Sequence, residues 1–133
     1  MKAKRLISVT MVLALVLSFG IIGAQANTKD TNWSFNFSTP GSRYTDVRQK
    51  DNDTAVYFKV NSITTTGGFN FSAVPCSGTQ IACGSSKLIF STGVYYLSNT
   101  INANYNKACV KGTTGMYGTA SGVWSPDNSS GIK

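Results

Sequence analysis

The chain has 133 residues, a formal charge of +7 from twelve Lys and Arg against five acids, and no histidine. Without histidine there is no Ser-His-Asp or Cys-His nucleophile and no histidine-based zinc site. All five acids are aspartates (Asp30, Asp46, Asp51, Asp53 and Asp127), which leaves a paired-carboxylate hydrolase as the one familiar catalytic design. Such pairs sit in deep clefts that a β domain of this size seldom builds, so the sequence reads as non-enzymatic and cofactor-free.

Lys2, Lys4 and Arg5 open the chain, Leu6 to Ile22 is apolar almost throughout, and Ala24-Gln25-Ala26 follows. A basic start, an apolar centre and small residues at a cut site are the parts of a secretory signal peptide. The expected cut lies between Ala26 and Asn27, giving a signal peptide over 1–26 and a secreted, extracellular domain over 27–133. An uncleaved anchor is the competing reading, because the apolar run approaches the ~20 residues that span a bilayer. Ser18, Gly20 and Gly23 loosen the end of that run and favour cleavage. Three of the twelve basic residues fall in the leader, so the remaining nine against five Asp leave +4. That charge is scattered, which argues against a nucleic-acid partner and fits plain solubility or a weak preference for an anionic wall surface. After cleavage no membrane contact is expected.

The rest of the chain is rich in Ser, Thr, Asn and Gly, with aromatic and β-branched residues in short alternating runs, the pattern of an all-β domain. Trp33, Phe35 and Phe37 recur at period two and predict a first strand buried on one face. Thr39 to Lys50 has no apolar period and reads as a turn and polar connection. Val56, Phe58 and Val60 alternate with Tyr57 and Lys59, the clearest strand in the chain. Asp51-Asn52-Asp53 before it lacks the glycine and distal glutamate of a calcium loop and reads as a polar turn. Gly67-Gly68 marks a turn free to take positive φ. A third strand follows with Phe69, Phe71 and Ala73 inward, ended by Pro75.

Lys87 to Ser91 and Val94 to Leu97 are two further short strands, and the Asn-rich stretch to Asn106 reads as irregular. Lys107 to Gly112 puts Ala108 and Val110 on one side and Lys107, Cys109 and Lys111 on the other. Thr119 to Trp124 is the last strand, closed by Ser125-Pro126-Asp127 with turn chemistry. Residues 128–133 are too polar to pack on their own and are expected to fray. Seven short strands predict a single small antiparallel β-sandwich. Its expected core is Trp33, Phe35, Phe37, Val56, Phe58, Val60, Phe69, Phe71, Val110 and Trp124, each contributing roughly 1.5–3 kcal/mol on burial.

Three cysteines cannot all pair within one chain, and in an exported protein two of them should. Chain entropy gives about 2.5 kcal/mol for Cys76–Cys83 and roughly 3.7 kcal/mol for a bond from either to Cys109. The local Cys76–Cys83 bond ranks first because one loop holds both residues. Cys109 then remains as a thiol beside two lysines, open to dimerisation. Strand parity also makes Cys76 and Cys109 face the same way, so a cross-strand bond is feasible if their strands are neighbours.

Tyrosines recur at Tyr44, Tyr57, Tyr95, Tyr105 and Tyr117. Tyr57 shares the outward side of its strand with Lys59, and flat aromatic surfaces of this kind stack on sugars or anchor protein interfaces. Tyr57, Lys59, Lys107 and Lys111 are accordingly the candidate binding surface, for an extracellular or cell-wall partner.

The segments Asn32-Trp33-Ser34-Phe35-Asn36-Phe37, Asp53-Thr54-Ala55-Val56-Tyr57-Phe58-Lys59-Val60, Tyr96-Leu97-Ser98-Asn99, Lys107-Ala108-Cys109-Val110-Lys111-Gly112 and Ala120-Ser121-Gly122-Val123-Trp124-Ser125-Pro126-Asp127 carry a likeness. In this order, behind the leader, the chain resembles a family of small secreted proteins of unknown function from Gram-positive bacteria. The resemblance implies an exported β-sandwich and supplies no catalytic residues. A fainter one, at Gly122-Val123-Trp124, is to secreted β-sandwich bacteriocins, whose His- and Lys-rich middle this chain lacks. Three functions are therefore open: a secreted binding protein, a bacteriocin-like toxin acting on competing cells, and a small hydrolase built on Asp51 and Asp53.

Overall fold

A computed structural model describes residues 27–76, 82–101 and 105–133. The signal peptide expected over residues 1–26 lies outside the described residues. Among the described residues the strands are β1 (Thr31–Phe37), β2 (Gly41–Tyr44), β3 (Arg48–Gln49), β4 (Val56–Thr64), β5 (Phe69–Pro75), β6 (Lys87–Ile89), β7 (Gly93–Leu97), β8 (Lys107–Thr114) and β9 (Gly118–Ser125). They form two antiparallel sheets, one ordered β1-β9-β4-β7 and the other β2-β8-β5-β6, with β3 also paired to β8. All seven predicted strands are present. The two additions, β2 and β3, come from the polar connection between residues 39 and 50. No apolar period marks them because they lie at the edge of their sheet, holding to β8 through backbone pairing.

Alternation builds the core. Trp33, Phe35 and Phe37 of β1 turn one way, and Phe69, Phe71 and Ala73 of the facing sheet turn to meet them, with all ten predicted core residues buried. Trp33 stacks on Phe58 with ring centroids 4.6 Å apart, and Phe71 packs against Phe58 at 4.7 Å. Such ring pairs contribute about 0.5–1.5 kcal/mol beyond their buried area. Gly112 faces this core from β8, where a Cβ would come within 2.7 Å of the Phe35 ring. The missing side chain is what lets the two sheets close over Phe35. Gly68 turns the chain between β4 and β5 at φ +77°, the positive value its sequence context predicts. Ile101 joins the core from the Asn-rich stretch, where a lone apolar residue gives no periodic signal.

The disulfide corrects the first-ranked pairing. Cys76 bonds to Cys109, with Cα atoms 6.0 Å apart, and Cys83 is not part of the bond. Val74 of β5 lies directly opposite Cys109 of β8, which places Cys76 on the diagonal of the same face. Neighbouring strands thus supply the geometry that proximity in sequence does not. Cys109 is fully buried and bonded within the chain, so it is not the thiol through which a dimer would form. Cys83 packs half-buried against the core, its amide donating to the Ala73 carbonyl at 3.1 Å, and burial pushes its thiol pKa up.

Candidate functional site

Tyr57, near the start of β4, pairs with Ser125 at the end of β9, so the segments before one strand and after the other meet at one end of the sandwich. There Lys50 is buried with its ammonium against the Asp127 carboxylate, Nζ to Oδ1 2.9 Å, both side chains wholly out of solvent. Desolvating an ion costs several kcal/mol, and the pair persists only if its remaining donors and acceptors are met. They are met here. Lys50 Nζ also donates to the carbonyls of Thr54 (2.6 Å) and Pro126 (2.7 Å), which uses all three of its protons. Burial pushes the Lys50 pKa down, and the hydrogen bond and charge of Asp127 pull it back. The other carboxylate oxygen, Oδ2, accepts from the amides of Asn27 (2.8 Å) and Asp51 (2.9 Å).

Asparagines extend this polar knot. Asn52 Oδ1 accepts from the amide of Thr54 at 2.9 Å, closing the Asx turn that leads into β4. Asn128 donates to the carbonyls of Ala55 (2.7 Å) and Ile132 (2.9 Å) and accepts from the Ile132 amide (3.1 Å). The Ala55 amide in turn donates to the Ile132 carbonyl at 2.7 Å. Residues 128–133 therefore fold back onto the sandwich instead of fraying. Their sequence is as polar as expected, but it packs through hydrogen bonds, which hydropathy does not register.

Outside the knot lies an open groove of about 490 Å³, lined by Thr28, Asp30, Tyr57, Tyr96, Ser125 and residues 127–130. Tyr57 and Tyr96 are partners in the β4–β7 register and pack edge to face, ring centroids 6.1 Å apart. Ser125 Oγ donates to Asp30 Oδ1 at 3.4 Å, and Ser130 Oγ donates to the Tyr96 hydroxyl at 3.5 Å. Burial, then the charge of Asp30 and the neighbouring Tyr96, raise the pKa of Tyr57, which keeps its phenol protonated as a donor. The groove thus offers two amphipathic rings, several hydroxyls and the Asp30 carboxylate, the Asp127 carboxylate beside it being engaged in the knot. It suits a ligand with hydroxyl groups and a flat apolar face.

The four residues predicted as one surface are divided between two sheets. Tyr57 and Lys59 lie on the outer face of β4, whereas Lys107 and Lys111 belong to β8 in the opposite sheet, where Lys111 Nζ sits 6.0 Å from the Tyr44 ring centre. Strand parity identifies an outward side chain without saying which sheet it points away from. Asp51 and Asp53 do not converge either. Asp53 pairs with Lys133 at the surface, and Asp51 contributes its backbone amide to Asp127. Among the described residues, no cluster of three His, Cys, Asp or Glu could hold a metal ion. Tyr96 shares Tyr57's outward parity and was detectable on that ground. Thr28, Asp30, Ser130 and the buried Lys50 have no pattern in sequence that sets them apart.

A family model described as a protein of unknown function, DUF2712, matches residues 21–128, and the chain belongs to that family. No curated protein and no solved structure matches the chain.

Proposed function

From the geometry of the groove, we propose that the protein is a secreted, non-enzymatic binding module that takes a hydroxyl-rich ligand, a glycan of the cell surface, against Tyr57 and Tyr96. The observation that carries the reading is the tyrosine pair set beside Asp30, Ser125 and Ser130 in one open groove. Sugar rings present an apolar face to aromatic side chains and hydroxyls to polar neighbours, and both kinds of partner are at hand. The basic leader with Ala24-Gln25-Ala26 supports export, as does the Cys76–Cys109 disulfide, a bond that persists in oxidising compartments.

Binding is favoured over catalysis by the state of the carboxylates. Of the two in the groove, Asp127 has both oxygens engaged by Lys50 and backbone amides, which leaves Asp30 without a second acid to work with. An anionic polymer is not the favoured ligand, because only Lys59 of the lysines expected to attract it shares the face of Tyr57, while Lys107 and Lys111 belong to the opposite sheet.

Titration of the exported protein with soluble peptidoglycan fragments, read by the ring signals of Tyr57 and Tyr96, tests the reading. Saturable shifts that weaken at least tenfold in Tyr57→Ala and in Tyr96→Ala are expected. Binding unchanged in both variants, or absent in the parent protein, refutes it.

A further inference from the structure

The polar knot contains an atom whose chemistry changes when the leader is removed. Asn27 N lies 2.8 Å from Asp127 Oδ2, and in the uncut chain that nitrogen is a neutral peptide amide donating one proton. Hydrolysis of the Ala26–Asn27 bond by a signal peptidase adds one water. The hydroxyl goes to the Ala26 carbonyl carbon, which departs as a carboxylate on the leader, and the Asn27 nitrogen takes up protons to become an ammonium.

We propose that this new ammonium forms a second ion pair with Asp127, so that export processing completes the charged knot and fixes the end of the sandwich that carries the groove. The inference rests on the reading of residues 1–26 as a cleaved leader and deepens the proposed function by coupling it to maturation. Asp127 is built to accept the charge: its two oxygens point apart, Oδ1 to Lys50 and Oδ2 to Asn27 and the Asp51 amide. Asn27 is held on its other sides as well. Its side-chain amide donates to the Gln49 carbonyl at 2.8 Å, its side-chain oxygen accepts from Arg48 Nη2 at 2.6 Å, and its own carbonyl accepts from the Asp127 amide at 3.4 Å. Four contacts from two segments, β3 and the turn after β9, thus place the residue at the predicted cut in a fixed seat. Thr28 and Asp30, immediately downstream, enter the groove wall from that seat.

The charged groups facing the new terminus are Asp127 in contact, Lys50 behind the same carboxylate, Arg48 on the Asn27 side chain, and Lys29 and Asp30 of its own segment. Asp127 contacts the nitrogen directly and the cations do not, and Asn27 is only half-buried where Lys50 is fully buried, so attraction outweighs the cost of desolvation. The α-amino pKa is therefore raised in the folded protein above its ordinary ~7.7–8.0. A raised value contributes stability that is fully present below the unfolded pKa and is lost as pH climbs through the folded one.

The test expresses the full chain in a bacterial host that exports it and examines the product in the medium. Intact mass reports the first residue, and pH-dependent labelling of the α-amine by acetic anhydride reports its pKa. The expected result is a chain beginning at Asn27 whose α-amine titrates about one unit above the ordinary value, returning to it in Asp127→Asn. If that variant is not exported, the titration of the parent protein still decides. A different first residue overturns the processing premise and with it the inference, while leaving the glycan titration to judge the groove. A chain beginning at Asn27 with an ordinary or lowered α-amino pKa overturns the ion pair alone.

Discussion

The middle of the sandwich and its groove end are held by opposite means. In the middle, Trp33, Phe35, Phe58, Phe69 and Phe71 interlock as rings, and no charge is buried among them. At the groove end, Lys50 and Asp127 are just as completely removed from water, but what surrounds them is backbone carbonyls, amides and asparagine side chains. The ring core spreads its stabilisation over contacts that are many, individually weak and without strict direction. The polar knot is all or none, because each partner lost strands another buried group. Apolar layers hold the two sheets together here, while one satisfied ion pair fixes the segments that meet at the groove end.

Truncating the ring core gives the largest expected effect. Phe58→Ala removes the ring that contacts both Trp33 and Phe71 and should cost about 3–5 kcal/mol in denaturant unfolding. A loss below 1 kcal/mol would mean that the rings are not the main support. Lys50→Met should come close to that value, about 3–5 kcal/mol, because it leaves the Asp127 charge buried without its cation. The sharper measurement is the double variant Lys50→Met/Asp127→Leu, which is expected to recover part of the loss. Equal and additive losses in the two single variants would show that the groups are not coupled.

Replacing both Cys76 and Cys109 by Ser should cost less, roughly 2–4 kcal/mol, from the chain entropy restored to the unfolded state. Equilibrium unfolding with and without reductant checks it, and reductant should leave the double variant unchanged. The smallest effect belongs to the exposed pair of Asp53 and Lys133. The Lys133 hydrogen bond holds the Asp53 carboxyl below its usual range, so whatever this pair contributes is present above the ordinary carboxylate pKa and lost as pH falls through the lowered one. In Lys133→Ala the Asp53 titration followed by NMR should move upward toward the ordinary carboxylate range, with the melting temperature changing by no more than about a degree.

The same division explains what could be read from sequence. Phe69, Phe71, Val56, Phe58 and Val60 announce their strands because apolar burial follows the period of the backbone, and every residue of the predicted core is buried, with Ile89, Leu97 and Ile101 joining it. Lys50 has no such signature. Its neighbours Gln49 and Asp51 are polar, and only the meeting of β3, the turn before β4 and the turn after β9 surrounds it with acceptors. The tail behaves likewise, since Asn128 packs by directed hydrogen bonds that composition alone reads as solvent-seeking. Cys76 and Cys109 fall between these cases. Their parity was legible, whereas the adjacency of β5 and β8 that joins them is a matter of topology.

The central claim is that the polar knot is a fixed part of the fold and not a solvated chain end. Native-state hydrogen exchange at Asp51, Ala55 and Asn128 tests it most directly, since these amides donate to Asp127, to the Ile132 carbonyl and to Thr54 Oγ1. The account predicts protection comparable to that of the paired amides of β4 and β9. Exchange at the rate of an exposed loop at all three positions would contradict it.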